Sequence, residues 1–298
     1  MKIASITIYC NERFRLDAWK EYYAGYKEEL YLHVIVNNGD KEETAVLREH
    51  FPDSLILESP TKNMMASYNL ALAKILEDPE VDAIAQIVND IRLSEGGFSG
   101  LYEFLFSDPS LAMVSPVLLS KDSDVIDCYG CTIDPGNLDF IHNDAGRDWK
   151  DIPEDTRQVS GLPAGIFLAR RSLYEQFGFQ DENLEMYSDE VDMGIRVARL
   201  GYRLGATSRV QAWHQHVNPD GKKQRSPRAA FLMGRNQVYL ARKYGSGGKA
   251  FRVFAHRVFR GLDEIRSAVM HGKTRDHYRF GWAMVKGSFA GLKEKIKG

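Results

Sequence analysis

The sequence predicts an α/β protein with a largely parallel sheet, and three observations carry that expectation. Short apolar stretches of strand character alternate with longer stretches of helical period through about the first 120 residues. The chain is long enough, at 298 residues and 44% hydrophobic, to bury a sizeable core. Three strands end in polar clusters, Tyr9-Cys10-Asn11-Glu12, Asn37-Asn38-Gly39-Asp40 and Asn89-Asp90. In an open parallel sheet the strand ends are where a pocket forms.

In order, Lys2 to Tyr9 reads as a strand and "RLDAWKEYYAGYKEEL" as a helix. "YLHVIVNNGD" is a strand ending in a turn, "EETAVLREHF" a helix, and "SLILES" a short strand. "MMASYNLALAKILED" is helical, "DAIAQIVND" a buried strand, "GGFSGLYEFLFSD" a helix, and "LAMVSPVLL" a further strand. Beyond residue 120 the chain turns polar and rich in Gly, Pro, Asn and Asp, as irregular hairpins and loops over the sheet would be. "GLPAGIFLARRSLYEQFG" returns to strand and helix. "MYSDEVDMGIRVARLGY" is a helix with a C-terminal stop at Gly201. From about residue 228 the pattern is helical, with Phe254, Val258, Leu262, Ile265 and Val269 at helical spacing. The expected division is a 1–220 domain and a basic, mainly helical extension over 221–298.

Composition narrows the function. No apolar run approaches the roughly 18 residues of a bilayer span, and no secretory leader is evident at the N-terminus, so a cytoplasmic protein is expected. Cys128 and Cys131 form one C-x-x-C. With no second pair and no nearby histidine, they read as two small residues of a reduced protein rather than a zinc or redox site. The net charge of −2 conceals an asymmetry. Residues 221–298 hold 19 Lys+Arg against 4 Asp+Glu, a balance of +15, which leaves −17 for residues 1–220. No G-x-G-x-x-G follows the first strand and no G-x-x-x-x-G-K-[ST] occurs, which excludes a usual dinucleotide fold and a P-loop protein.

Asp189, Glu190 and Asp192 put three carboxylates at the start of a helix. They suit the positive end of a helix dipole, and Asp192 is four residues from Arg196, as an ion pair on one face requires.

The order of motifs resembles that of inverting GT-A glycosyltransferases of family 2, in the branch that includes bacterial rhamnosyltransferases of polysaccharide synthesis. The resemblance spans about residues 3–217 and rests on "IYCNER", "VNNGD", "ASYNLA", "VNDIRL", "PAGIFLARR", "DEVDMGIRVARLGY" and "AWHQH" in that order. It implies a Rossmann-like, mostly parallel sheet with helices on both faces. It also implies transfer of a sugar from a nucleoside-diphosphate donor, dTDP-rhamnose or a UDP-hexose, to a hydroxyl of a surface glycan or lipid-linked acceptor. The second carboxylate of the family's E-D-x-D is the general base. Here the order is Asp-Glu, so Glu190 and Asp189 are rivals for that role, with Asp192 orienting the motif through Arg196. Asp90 matches the metal-binding Asp of the D-x-D motif, whose first Asp is replaced by Val88. His214 matches the histidine that approaches metal or diphosphate, and His216 lies two residues on. A divalent metal, Mn²⁺ or Mg²⁺, is therefore implied. Tyr9, Asn11, Glu12, Asn37, Asn69, Asn89 and Asp90 are the implied donor contacts, Tyr9 by stacking on the base, with Lys62 beside them. Ala164, Gly165 and Asp192 fall on the acceptor side.

The basic extension has its own readings. Lys222, Lys223, Arg225 and Arg228 would form a loop able to close over a diphosphate. Arg252, Arg257, Arg260 and Arg266, with Phe251, Phe254, Phe259, Trp282 and Phe289, would suit an anionic membrane surface or a homodimer contact. Nucleic acid is not expected, since no recognised motif accompanies the charge. Two rivals remain. A sugar nucleotidyltransferase would want a glycine-rich loop after the first strand, and "CNERFRL" has no glycine. A non-catalytic nucleotide-sugar or glycan-binding module is suggested by Val88 and Asn37.

Overall fold

The computed structural model describes residues 1–153, 155–215, 226–271 and 275–296. The strands and helices run β1 (Ile3–Tyr9), α1 (Leu16–Ala24), β2 (Leu32–Asn37), α2 (Glu43–His50), β3 (Leu55–Glu58), α3 (Met64–Leu76), β4 (Ala83–Ile87), β5 (Ile91–Leu93), α4 (Gly97–Ser107) and β6 (Leu111–Ser120). They continue with β7 (Ile126–Cys128), β8 (Cys131–Ile133), β9 (Phe140–His142), β10 (Thr156–Val159), β11 (Ile166–Arg170), α5 (Arg171–Phe177), α6 (Asp189–Arg199), β12 (Arg203–His214), α7 (Pro227–Tyr244), α8 (Gly247–Met270) and α9 (Arg275–Gly291). Chain contacts divide the protein into two units. The first comprises Met1–Thr132, Ile141–Glu182 and Met193–Pro219; the second comprises Ile133–Phe140, Asn183–Asp192 and Asp220–Gly298.

In the first unit a mixed sheet has the order β10-β12-β6-β11-β4-β1-β2-β3, with β5 on β12 and β7 on β6. The β3-β2-β1-β4 half is parallel, and β6 and β12 are parallel to each other. β11 enters antiparallel between β4 and β6. β1 and β4 are buried along their whole length, which suits a central parallel strand closed on both faces. Asn63 caps α3 by accepting from the amides of Met65 and Ala66 at 2.9 and 3.2 Å. Gly201 adopts φ +80° just past α6, and the Tyr202 amide bonds back to the Val197 carbonyl. The expected helix stop is thus realised.

The second unit is built on α7, α8 and α9. The expected apolar stripe of α8 needs correction. Its buried residues are Ala250, Val253, Arg257, Gly261 and Ala268, while Leu262 and Val269 are exposed. Glycine, not leucine, sets the packed face. A Cβ at Gly261 would meet the Gly281 carbonyl oxygen at 2.8 Å, and one at Gly281 would meet the Gly261 oxygen at 2.5 Å. The two backbones touch where a side chain would keep them apart. Arg257, expected among the surface cations, is fully buried and pairs with Asp139, which His256 and Arg260 also approach. Among the described residues no helix is long and apolar enough to cross a membrane.

Candidate functional site

In the first unit, strand pairing assembles a polar cluster. β5 pairs with β12 so that Ile91 stands opposite His214, which brings the preceding Asp90 beside the imidazole. His214 Nε2 lies 3.4 Å from Asp90 Oδ1, and Nδ1 lies 3.6 Å from Asp127 Oδ2. Asp127 reaches that ring because β7 lies on β6 and β6 lies on β12. Burial by itself would lower the His214 pKa, but the two carboxylates outweigh it and raise the value to about 9. Arg15 donates to the other Asp90 oxygen at 2.6 Å. It also approaches Asn89, whose amide donates to Glu12 at 2.7 Å. Burial raises the Glu12 pKa despite Asn89 and Arg15, and the Asp90 charge adds to the rise. Val88, at the place of the missing carboxylate, is half-buried.

Once an ion displaces the proton on Nε2, Asp90 and His214 would offer an oxygen and a nitrogen at 3.4 Å, a separation that one divalent ion can span with bonds of about 2.0–2.2 Å. Asp127 supplies the outer partner that fixes the ring of a metal-bound histidine. The donor set fits a hard divalent ion completed by phosphate oxygens. Arg15 and Asp127 belong to this cluster and were not singled out from the sequence. Their placement depends on strand register, which no local motif encodes.

The other predicted donor contacts fare differently. Tyr9 requires correction. Its ring is fully buried, stacked 6.2 Å from Trp19, and its hydroxyl donates to Glu43 at 2.8 Å, so it presents no face to a base. Asn37 builds the turn after β2, donating to the Asp40 carbonyl and Thr44 Oγ1 and accepting from the Gly39 amide. Asn11, at φ +58°, exchanges hydrogen bonds with Asp40 at 2.8 and 2.9 Å. A Cβ at Gly39 would lie 2.0 Å from Asn11 Oδ1, so a side chain there would push the Asn11 amide off Asp40. Lys62 closes on Gly39 and Asp40. Asn69 brackets the segment after α5 through Gln180 and Glu182. Ala164 and Gly165 are half-buried, and their carbonyls accept from Gln86 and from the Val88 amide. His216, Lys222, Lys223 and Arg225 lie outside the described residues.

The second unit carries the carboxylate pair. Asp189 is buried, and Glu190 beside it is half-buried. Burial raises both pKa values, that of Asp189 to about 6, and the two carboxyls share a hydrogen bond. The Asp189 charge lifts Glu190 further, so the two carboxyls titrate as a pair that holds on to a proton above the usual carboxylate range. The segment before the pair is unusual. Glu185, Tyr187 and Ser188 all have positive φ, at 58°, 66° and 63°, a costly backbone state for such residues. It is held by buried Asn236 of α7, which donates to the carbonyls of Leu184, Met186 and Tyr187 at 2.8, 2.9 and 2.8 Å. Arg235 adds Glu185 at 2.6 Å. Asp192, expected to act through Arg196, is fully buried and accepts from Tyr244 at 2.5 Å and Lys243 at 3.2 Å. Arg196 donates to the carbonyls of Phe177 and Phe179.

No family model matches the sequence, and no curated protein matches it. Solved structures do. The chain superimposes on GalNAc-T7 with UDP, GalNAc and Mn²⁺ at a TM-score of 0.66 and 10% identity, over 95% of this chain and 56% of that one. It superimposes on the mannosyltransferase PcManGT from Pyrobaculum calidifontis, in complex with GDP-Man and Mn²⁺, at 0.57 and 11% identity, over 98% of this chain and 87% of that one. The fold is GT-A. The chain spans little more than half the length of the GalNAc-T7 chain.

Proposed function

We propose that the protein is an inverting glycosyltransferase. It moves a sugar from a nucleoside-diphosphate donor to a hydroxyl of a glycan or lipid-linked acceptor. The observation that carries the reading is the Asp189–Glu190 pair, two carboxyls whose surroundings hold one proton between them. A general base works best with a pKa near the operating pH, and burial raises Asp189 to about 6, towards that range. Asp189 accepts the acceptor hydroxyl proton as that oxygen attacks the anomeric carbon and the diphosphate departs. One carboxylate acting as base requires no enzyme nucleophile and implies a single displacement, hence inversion. Glu190 keeps its proton and hydrogen-bonds the carboxylate.

The likeness to structures holding UDP or GDP-Man with Mn²⁺ supports a nucleotide-sugar donor and a divalent ion. Asp90 Oδ1 and His214 Nε2 are the groups to hold that ion. When bound, it supplies positive charge for the leaving diphosphate. Arg15 places a second cation beside Asp90, and Asp127 orients the imidazole. dTDP-rhamnose and UDP-hexoses are the first donors to try. The extension supports a peripheral membrane setting. Phe251 and Phe259 on α8 are 70% and 68% exposed, and Arg252, Arg260 and Arg266 of the same helix are exposed. That combination suits an anionic surface bearing a lipid-linked acceptor.

The test is transfer by the base variants. Asp189→Asn and Glu190→Gln should each lower turnover while donor binding, read by thermal stabilisation, persists. The deeper loss is expected for Asp189→Asn. Full turnover in both variants contradicts the assignment.

A further inference from the structure

We propose that Cys128, Cys131 and His142 form a binding site for a borderline-soft divalent cation of the zinc class, distinct from the Asp90–His214 pair. All three belong to the first unit. The C-x-x-C lacks a histidine in its immediate sequence, but the β8–β9 hairpin supplies one. One ligand atom from each of the three residues lies within 4.8 Å of the others. The sulfurs are 3.1 Å apart and fully buried, whereas His142 is exposed.

The turn is built to aim both sulfurs the same way. Gly130 adopts φ +66°, and a Cβ there would lie 2.5 Å from Val159 Cγ1, so no other residue fits. The Cys131 amide donates to the Gly161 carbonyl at 2.9 Å, and the Cys131 carbonyl accepts from the amides of Ser160 and Gly161. Two backbone bonds tie the turn to the residue after His142. The Tyr129 amide donates to the Asn143 carbonyl and the Asn143 amide to the Gly130 carbonyl, each at 3.1 Å. His142 is itself oriented, with Nδ1 3.2 Å from the Asp127 carbonyl. A carbonyl acceptor there fixes the tautomer in which Nε2 carries the lone pair, the usual outer arrangement of a metal-bound histidine.

The chemistry selects the ion. Two thiolates and an imidazole are the donor set of zinc, with solvent in a fourth position, and disfavour Mg²⁺ or Mn²⁺. At Zn–S bonds of about 2.3 Å, tetrahedral geometry sets the sulfurs about 3.8 Å apart. The pair therefore opens by a fraction of an ångström as each S–H gives its proton to solvent and two protons are released. The site adjoins the donor cluster through Asp127, whose carbonyl meets His142 and whose carboxylate meets His214. Only this last connection rests on the glycosyltransferase reading.

The experiment uses the full chain, metal-stripped and kept reduced with a phosphine, titrated with Co²⁺. A thiolate-to-cobalt charge-transfer band saturating at one equivalent, and displaced by Zn²⁺, is expected. Cys128→Ser and Cys131→Ser should abolish the band. His142→Gln, a change at an exposed position, should weaken Co²⁺ binding by about tenfold or more, and Asp90→Asn should leave the band intact. Absence of the band in the reduced wild-type protein, its survival in both cysteine variants, or equal affinity in His142→Gln would overturn the proposal. None of these readouts depends on sugar transfer.

Discussion

At the residue scale the strongest constraint is where protons sit. With Asp189 as the base, kcat/KM should fall about tenfold per pH unit below about pH 6. A pH profile that stays flat to pH 5 would remove Asp189 from that role. Fully buried His33 offers a second reading of the same physics. It stacks on Tyr23 at 4.6 Å and contacts Ser54 at 2.8 Å, and burial lowers its pKa to about 3. The folded value lies below the unfolded value of about 6.5, so the unfolded chain binds the proton first. The associated stability is complete above about pH 6.5 and is lost as pH falls towards 3, by about 1.4 kcal/mol per unit. Urea unfolding across this range should show a shallower acid slope in His33→Gln; an identical slope would contradict the account. The residues of the candidate site are mostly of kinds that a sequence shows at this scale. Asp90, His214 and the Asp189–Glu190 pair are chemistry-bearing types at element ends. Tyr9 was misread because the last residue of a strand can face a pocket or the core, and only Trp19 and Glu43 decide which.

At the element scale the loop ahead of α6 is the feature that sequence reading missed. Three residues with positive φ in four positions, none of them glycine, follow from no turn motif. They persist because Asn236, far along the chain, satisfies three carbonyls at once. Asn236→Ala takes this donor from the Met186 and Tyr187 carbonyls, while Leu184 keeps the Met186 amide and Arg235, at a cost of about 1–3 kcal/mol. The thermal midpoint should drop by several degrees, and turnover should fall more than donor affinity does. Unchanged turnover would mean that the loop's geometry is not needed by the pair that follows it. Strand and helix alternation was readable from β1 to β6 except for β5, whose three residues are too few to show a period, since apolar period is local. The antiparallel entry of β11 and the glycine-set face of α8 were not, because both depend on partners distant in sequence.

At the scale of the whole molecule, charge asymmetry is the main unexplained feature of composition. A balance of +15 in residues 221–298, with aromatic side chains exposed on α8, predicts binding to anionic vesicles that weakens as salt rises. Flotation with phosphatidylserine-containing vesicles should retain the protein at low ionic strength, and neutral vesicles should not. A Phe251→Ser, Phe259→Ser double variant should reduce retention. Equal recovery with both lipids would argue instead for an assembly role of the extension.

The central claim, a metal-assisted nucleotide-sugar site, is tested most directly by thermal unfolding and donor hydrolysis across a panel of nucleotide sugars with Mn²⁺, Mg²⁺ or EDTA. Stabilisation by one nucleotide class that requires the metal, accompanied by slow release of its diphosphate and lost in Asp90→Asn, is the predicted result. No stabilisation by any nucleotide sugar in either metal would contradict the account.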